Sequence, residues 1–174
     1  NTLNSIYSMS LDKDERLPGT LLQLSELMRY FLYEAKEDLV PLAKEIQVLK
    51  DYIALQKIRS NEKLKVEAFF EDDTKQQRIA PLLLITFLEN AFKHGAKGET
   101  GATFINLSIR LTNSLLYFSL ENNKGTVDLI EKADHKGLGL ENVKRRLELI
   151  YAGRYELSIQ DKGISFAVKL QIQL

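Results

Sequence analysis

The segment Phe87-Leu88-Glu89-Asn90-Ala91-Phe92-Lys93-His94-Gly95 brings a carboxylate, an amide, an ammonium group and an imidazole into one short stretch. Glu89 and Lys93 stand one helical repeat apart, as do Asn90 and His94, so on a helix these groups share neighbouring faces. The residues before them, from Pro81 onward, are apolar on nearly every side. Desolvating such polar groups without partners costs several kcal/mol, so they are expected to border a cleft. Phosphoryl transfer is the chemistry that uses this set. A carboxylate can take a proton, an amide oxygen can ligate Mg²⁺, and a lysine can balance phosphate charge. Taken alone, the same residues also fit an exposed Glu89–Lys93 pair and an ordinary helix ending at Asn90 and His94.

A second stretch, Gly137-Leu138-Gly139-Leu140-Glu141-Asn142, opens another helix. Glycines allow backbone to approach an anion closely, and the first N–H groups of a helix are free donors at its positive end. A triphosphate suits that arrangement, although two glycines also simply turn a chain into a helix. Lys124, Lys132, His135 and Lys136 precede it in a polar stretch and could meet phosphates or remain solvated.

These sites need elements to hold them. Leu21, Leu24, Leu27, Met28 and Phe31 recur at helical spacing, and a second helix near Pro41 has the apolar line Leu42, Ile46, Leu49 and Ile53. The period then changes. Leu64, Val66, Ala68 and Phe70 alternate as in a half-buried strand, which sets a domain boundary near Asn61 and divides the chain into residues 1–60 and 61–174. After the charged, strand-poor stretch Glu71 to Arg78, a helix runs from Pro81 to Gly95, with Gly95 read as a left-handed stop. Ile105, Leu107, Ile109 and Leu111 predict one strand, and Leu116, Phe118 and Leu120 another, joined by a turn at Asn113-Ser114. Residues 123–136 read as a long surface loop, of the length that is usually functional or disordered. A helix follows from Leu140 to Tyr151 along Leu140, Val143, Leu147 and Ile150. Tyr155, Leu157 and Ile159 then alternate, Asp161-Lys162-Gly163 turns the chain, and Ile164, Phe166, Val168, Leu170 and Ile172 alternate back. The economical architecture is α+β, a two-layer α/β sandwich in which a mixed sheet carries helices on one face, preceded by N-terminal helices.

Composition narrows the partners. Lys+Arg and Asp+Glu are both 24 in a chain of 174 residues, so no summed field draws it to nucleic acid or to an anionic membrane. The absence of cysteine removes thiolate nucleophiles and cysteine zinc sites, leaving oxygen ligands for any metal. The longest apolar run, Ala80 to Leu88, is far shorter than the ~20 residues that span a bilayer.

Pro81 through Leu84 followed by Phe87 to Gly95 resembles the N-box of the kinase and gyrase-type ATPases, most closely as it stands in the LytS-like sensor histidine kinases. Gly137 to Val143 followed by Arg145-Arg146-Leu147 resembles the second glycine box of that family. Asn1-Thr2-Leu3-Asn4-Ser5-Ile6 looks like the segment directly after the family's phosphate-accepting histidine, and Leu49-Lys50-Asp51-Tyr52-Ile53 with Gln56 and Arg59 looks like its linking helix. The resemblance covers almost the whole chain and implies the Bergerat ATP-binding fold with ATP and Mg²⁺ as cofactors. It implies that Glu89 acts as general base or orients the acceptor, that Asn90 supplies the Mg²⁺ oxygen, and that Lys93 lies near phosphate or ribose. His94 is implied as a helix-end contact, Gly137, Gly139, Leu140 and Asn142 as the lining of the phosphate end, and Ser165 as a neighbour of the adenine.

Two departures stand out. Where the family's first glycine box has an aspartate for the adenine amino group, this chain has Glu121-Asn122-Asn123-Lys124-Gly125, so Asn122 takes the aspartate's place without its charge and most of the glycines are gone. The only histidines are His94 and His135, so the chain lacks the phosphorylated residue and is not expected to autophosphorylate alone. The expected function is ATP-dependent phosphoryl transfer to a histidine just upstream, for relay to a response-regulator aspartate. Expected with it are a homodimer through the N-terminal helices, no nucleic-acid partner, and placement as a cytoplasmic domain of an inner-membrane-anchored protein. The alternative is a degenerate nucleotide-fold scaffold that signals by helix rearrangement and partner binding.

Overall fold

A computed structural model describes residues 2–59, 64–71, 74, 76–95, 103–124 and 138–174. Helices α1 (Thr2–Leu11), α2 (Leu17–Leu32) and α3 (Leu42–Arg59) come first, with a single 3₁₀ turn at Glu34–Lys36 before α3. The expected line Leu42, Ile46, Leu49 and Ile53 is buried on α3. On α2 the stripe is shifted from the expected one. Leu27 is buried, and Leu24 and Phe31 pack against the core, but Leu21 and Met28 are exposed. The core takes in only the Leu24–Leu27–Phe31 edge, together with Tyr30, and leaves the flanking apolar residues uncovered.

The second half is a five-stranded mixed sheet in the order β2-β4-β5-β7-β6, where β2 is Leu64–Phe70, β4 Thr103–Thr112, β5 Leu115–Asn123, β6 Tyr155–Asp161 and β7 Ser165–Gln173. β2 runs parallel to β4 and every other pair is antiparallel. The register aligns Leu107, Leu120 and Val168 in one row, and Ile109, Phe118 and Leu170 in the next. These rows are buried under α4 (Leu83–Gly95) and α5 (Leu138–Tyr151), so the expected two-layer sandwich with helices on one face is what forms. Phe87 of α4 meets Phe118 of β5 with ring centroids 5.5 Å apart, and each such buried side chain contributes roughly 1.5–3 kcal/mol. The apolar core is continuous from α2 and α3 through α4 to the sheet.

Local chemistry sets the turns. Asn113 (φ 49°) and Ser114 (φ 64°) both occupy the left-handed region, as a two-residue hairpin linking twisted strands demands. Gly163 (φ 78°) serves the β6–β7 turn. Ile164 was expected on the inward face of the last strand, but it lies in that turn and is 85% exposed. Gly95 does not take the left-handed conformation expected of a stop. Its role is close approach, since a Cβ there would stand 3.3 Å from both Asn122 Nδ2 and the Asn123 carbonyl oxygen.

One feature of the approach to α4 escaped the pattern. Val40–Pro41 (β1) pairs antiparallel with Arg78–Ile79 (β3), inside a stretch expected to be strand-poor and at the residue expected to open α3. Immediately after, Leu82 holds φ 58°, a conformation that costs a residue with a bulky side chain roughly 1–2 kcal/mol. The segment persists because tertiary contacts over-determine it. Tyr151 Oη accepts the Ala80 N–H at 2.8 Å, and Glu45 Oε1 accepts the Leu82 N–H at 2.8 Å. Among the described residues, no helix is long and apolar enough to cross a membrane.

Candidate nucleotide site

Helix α4 presents three kinds of surface. Leu83, Leu84, Phe87, Leu88, Ala91 and Phe92 are buried in the sandwich. Thr86, Asn90 and His94 form a half-buried stripe at its edge, and Glu89 and Lys93 lie outside that stripe, exposed. The apolar-then-polar reading of this helix therefore corresponds to a buried face bordered by a half-buried polar edge. Although Glu89 is exposed, partial desolvation pushes its carboxyl above the ordinary carboxylate range, a direction that suits a group asked to take a proton.

The first turn of α5 stands over that stripe. A Cβ built on Gly139 would lie 3.5 Å from Thr86 Cγ2 and 3.8 Å from Asn90 Nδ2, so the α5 backbone runs directly beside the Asn90 amide. Thr86 was not singled out in the sequence. Its hydroxyl donates back to the Leu82 carbonyl oxygen at 2.9 Å, which leaves its methyl group toward Gly139. Asn90 Nδ2 is buried and has no hydrogen-bond partner among the described residues. An orphaned buried donor costs about 1–3 kcal/mol, and such atoms are uncommon unless a ligand or water completes them.

At the far end of α4, about 8 Å along the helix axis, Gly95 lies against Asn122. Asn122 pairs in register with Ile105 on one side and Phe166 on the other, which places its side chain on the helix face of the sheet, where it is 2% exposed. Its Nδ2 donates to the Asn123 carbonyl oxygen at 2.9 Å. Asn123 in turn accepts the Phe104 N–H through its Oδ1 at 2.7 Å, tying β5 to the start of β4. The amide pair that replaces the expected aspartate and glycines is thus built into the strand ends.

The structure separates other expected members. Ser165 is one residue out of phase with Phe166, so it faces the opposite side of the sheet, and its hydroxyl donates to Glu121 Oε1 at 3.0 Å. Lys162 Nζ also donates to Glu121 at 3.0 Å, and these two donors hold the Glu121 carboxyl below its ordinary range. Ser165 therefore serves a polar cluster at the β6–β7 turn and does not share Asn122's face. Lys124 forms an ion pair with Asp161 of the same cluster. Asn142 is exposed on α5, and Leu140 is half-buried and packed on the core. Gly137, Lys132, His135 and Lys136, with residues 125–136 of the expected loop, lie outside the described residues. What comes together is Thr86, Asn90 and Gly139 along the polar stripe of α4, and Gly95 and Asn122 at its C-terminal end.

A family model described as histidine kinase matches residues 1–64. The sensor protein LytS of Staphylococcus haemolyticus is 25% identical over 99% of this chain, and that of Oceanobacillus iheyensis is 29% identical over 94%. The sensor histidine kinase BtsS of Escherichia coli is 28% identical over 91% of the chain. The chain spans only 31%, 30% and 28% of the length of these relatives, respectively. Among solved structures, the histidine kinase domain of the Erythrobacter litoralis blue-light activated histidine kinase superposes with a TM-score of 0.57 at 18% identity, over 92% of this chain and 75% of that one. The catalytic domain of histidine kinase ThkA superposes with a TM-score of 0.53 at 16% identity, over 78% of this chain and 93% of that one. Sensor kinases, several of them named LytS, thus resemble this chain along nearly its whole length, and its fold is that of histidine kinase catalytic domains.

Proposed function

We propose that this chain is the catalytic region of a two-component sensor kinase, which binds Mg·ATP and passes the γ-phosphoryl group to a histidine upstream of Asn1 for relay to a response-regulator aspartate. In this reading residues 1–60 are the dimerisation and linking part and residues 61–174 the ATP-binding part. The observation that carries it is the buried, unpartnered Asn90 Nδ2 beside the Gly139 backbone in the first turn of α5, since helix starts favour anions. Such a pair suits a metal-bound polyphosphate.

The residues fit that group. The oxygen of Asn90 would be a Mg²⁺ ligand, with phosphates and water completing the shell, as Mg²⁺ prefers. Bound there, Mg²⁺ would neutralise charge on the phosphates. Glu89, its carboxyl raised above the ordinary carboxylate range by burial, would take a proton from or orient the acceptor, and Lys93 would lie near phosphate or ribose. Gly137 and Gly139 would line the phosphate end, with Leu140 and Asn142 on the same turn and His94 at the end of α4. With its NH₂ group donating to Asn123, Asn122 has its amide oxygen as the acceptor that an adenine amino group requires. Catalysis would rest on positioning and charge neutralisation.

The N-terminal helices support a second copy as partner. Leu3, Tyr7 and Leu11 line one exposed face of α1, and Leu21, Leu22, Met28 and Leu32 are exposed on α2, an apolar surface of the kind that marks association. The balanced charge gives no general attraction to nucleic acid.

Calorimetry with Mg·ATP and with a nonhydrolysable analogue tests the proposal. Saturable binding, lost in Asn90→Ala, is the expected result. No binding by the parent chain would leave the scaffold reading, in which the fold signals without nucleotide.

A further inference from the structure

The helix carrying Glu89 and Asn90 has no cap of its own. Ala80-Pro81-Leu82 leads into it with none of the Ser, Thr, Asp or Asn side chains that ordinarily satisfy the first free N–H groups of a helix. The missing acceptor comes from α3. Glu45 is 0% exposed, and its Oε1 accepts the Leu82 N–H at 2.8 Å while its Oε2 accepts the Leu84 N–H at 3.4 Å. The carboxylate thus sits at the positive end of α4 and holds the residue with the left-handed backbone. On its other side the same Oε1 accepts the hydroxyl of Tyr30, which α2 buries almost completely. A single carboxylate therefore touches α2, belongs to α3 and ends α4.

We infer that Glu45 is a positioning residue for the nucleotide cleft, fixing where α4 starts and relaying the position of α2 to the Asn90 stripe through Tyr30. This rests on the reading of α4 as the wall of the nucleotide site. Asn90 lies two helical turns beyond Leu82, along a helix too short and too well packed to bend between them. A change at its first turn is therefore carried to its polar end as a rigid displacement. Glu45 is not used for chemistry at the cleft, which explains an otherwise costly placement: a buried carboxylate persists only where donors meet it, and here three do.

The test uses this chain and its Tyr30→Phe, Glu45→Gln and doubly substituted forms. Backbone and Asn side-chain amide resonances are recorded by NMR, and affinity for a nonhydrolysable Mg·ATP analogue is measured by calorimetry. Tyr30→Phe keeps the ring and removes only the hydroxyl. It should shift α4 resonances as far as the Asn90 side chain and weaken analogue binding at least threefold, and Glu45→Gln should weaken it tenfold or more. The double form should be no weaker than Glu45→Gln, because the hydroxyl acts only through the carboxylate. If Glu45→Gln does not fold, Tyr30→Phe alone decides. Resonance changes confined to residues around Tyr30 and Leu82, with unchanged affinity and a lowered melting temperature, would overturn the inference. The resonance measurement needs no nucleotide, so a parent chain that binds none would sink the kinase reading while the spread of shifts to Asn90 still judges Glu45.

Discussion

Gly139, in the first turn of α5, runs beside the Asn90 amide of α4, close enough that a methyl group on Gly139 would rest 3.8 Å from Nδ2. The distance is ordinary van der Waals contact, so Gly139→Ala should fold normally. It should even gain up to ~0.5–1 kcal/mol from reduced backbone freedom. The added methyl would nevertheless cover Asn90. A raised melting temperature together with weaker Mg·ATP affinity by calorimetry is the expected pair of results, and unchanged affinity would count against this cleft as the phosphate end.

Gly95→Ala should behave in the opposite way. Its Cβ would press to 3.3 Å against the Asn123 carbonyl, which is held in the sheet, and against Asn122 Nδ2. Overpacking of this kind costs roughly 1–3 kcal/mol, more than the helix gains from alanine. Urea unfolding should show a lower midpoint, and the Asn122 side-chain resonances should move.

Tyr151→Phe removes the acceptor for the buried Ala80 N–H without changing ring packing. An unsatisfied buried donor costs about 1–3 kcal/mol, and that loss should appear in the unfolding midpoint. Faster amide exchange at Ala80, ahead of the rest of the core, should accompany it.

Burial raises the Glu45 carboxyl above its ordinary value, opposed in part by the donors from Tyr30, Leu82 and Leu84 and by the charge of Arg146. The folded chain therefore binds this proton at higher pH than the unfolded chain does. Its contribution is fully present below the unfolded value of 4.5 and is lost as pH rises through the folded pKa. Measured against Glu45→Gln, the parent's urea midpoint should rise as pH is lowered from neutral toward the unfolded value of 4.5. A difference that stays flat over that window would show that the folded and unfolded pKa values coincide.

Light scattering should find a dimer at micromolar concentration. Replacing Leu3 and Leu11 together by glutamate places charges on the exposed apolar face of α1 and should yield monomers of unchanged fold. Dimers that persist would move the interface elsewhere.

Much of the molecule was legible in its residues because periodicity records burial. The line Leu42, Ile46, Leu49 and Ile53, the alternations in β4, in β5 and, beyond Ile164, in β7, and the Asn113-Ser114 turn each follow from local spacing and backbone preference, and each forms as expected. The cluster from Glu89 to His94 was equally visible, because polar groups on an otherwise apolar helix must face something. What local pattern could not decide was phase and partnership. Ser165 and Asn122 both sit at strand ends, but the register turns them to opposite faces, and only pairing with β5 settles which. Gly95 looked like a left-handed stop because of its type, whereas what it provides is room for the strand end packed against it. The cap of α4 lies furthest from local reading. Glu45 precedes Leu82 by 37 residues, and its carboxylate becomes a helix cap only once α3 and α4 are packed together and water is excluded. Sequence thus determined most of the longer helices and strands and which residues had chemistry to offer, since both depend on neighbours along the chain. Tertiary structure decided which of those residues meet, because hydrogen bonds and cleft walls depend on distance through space.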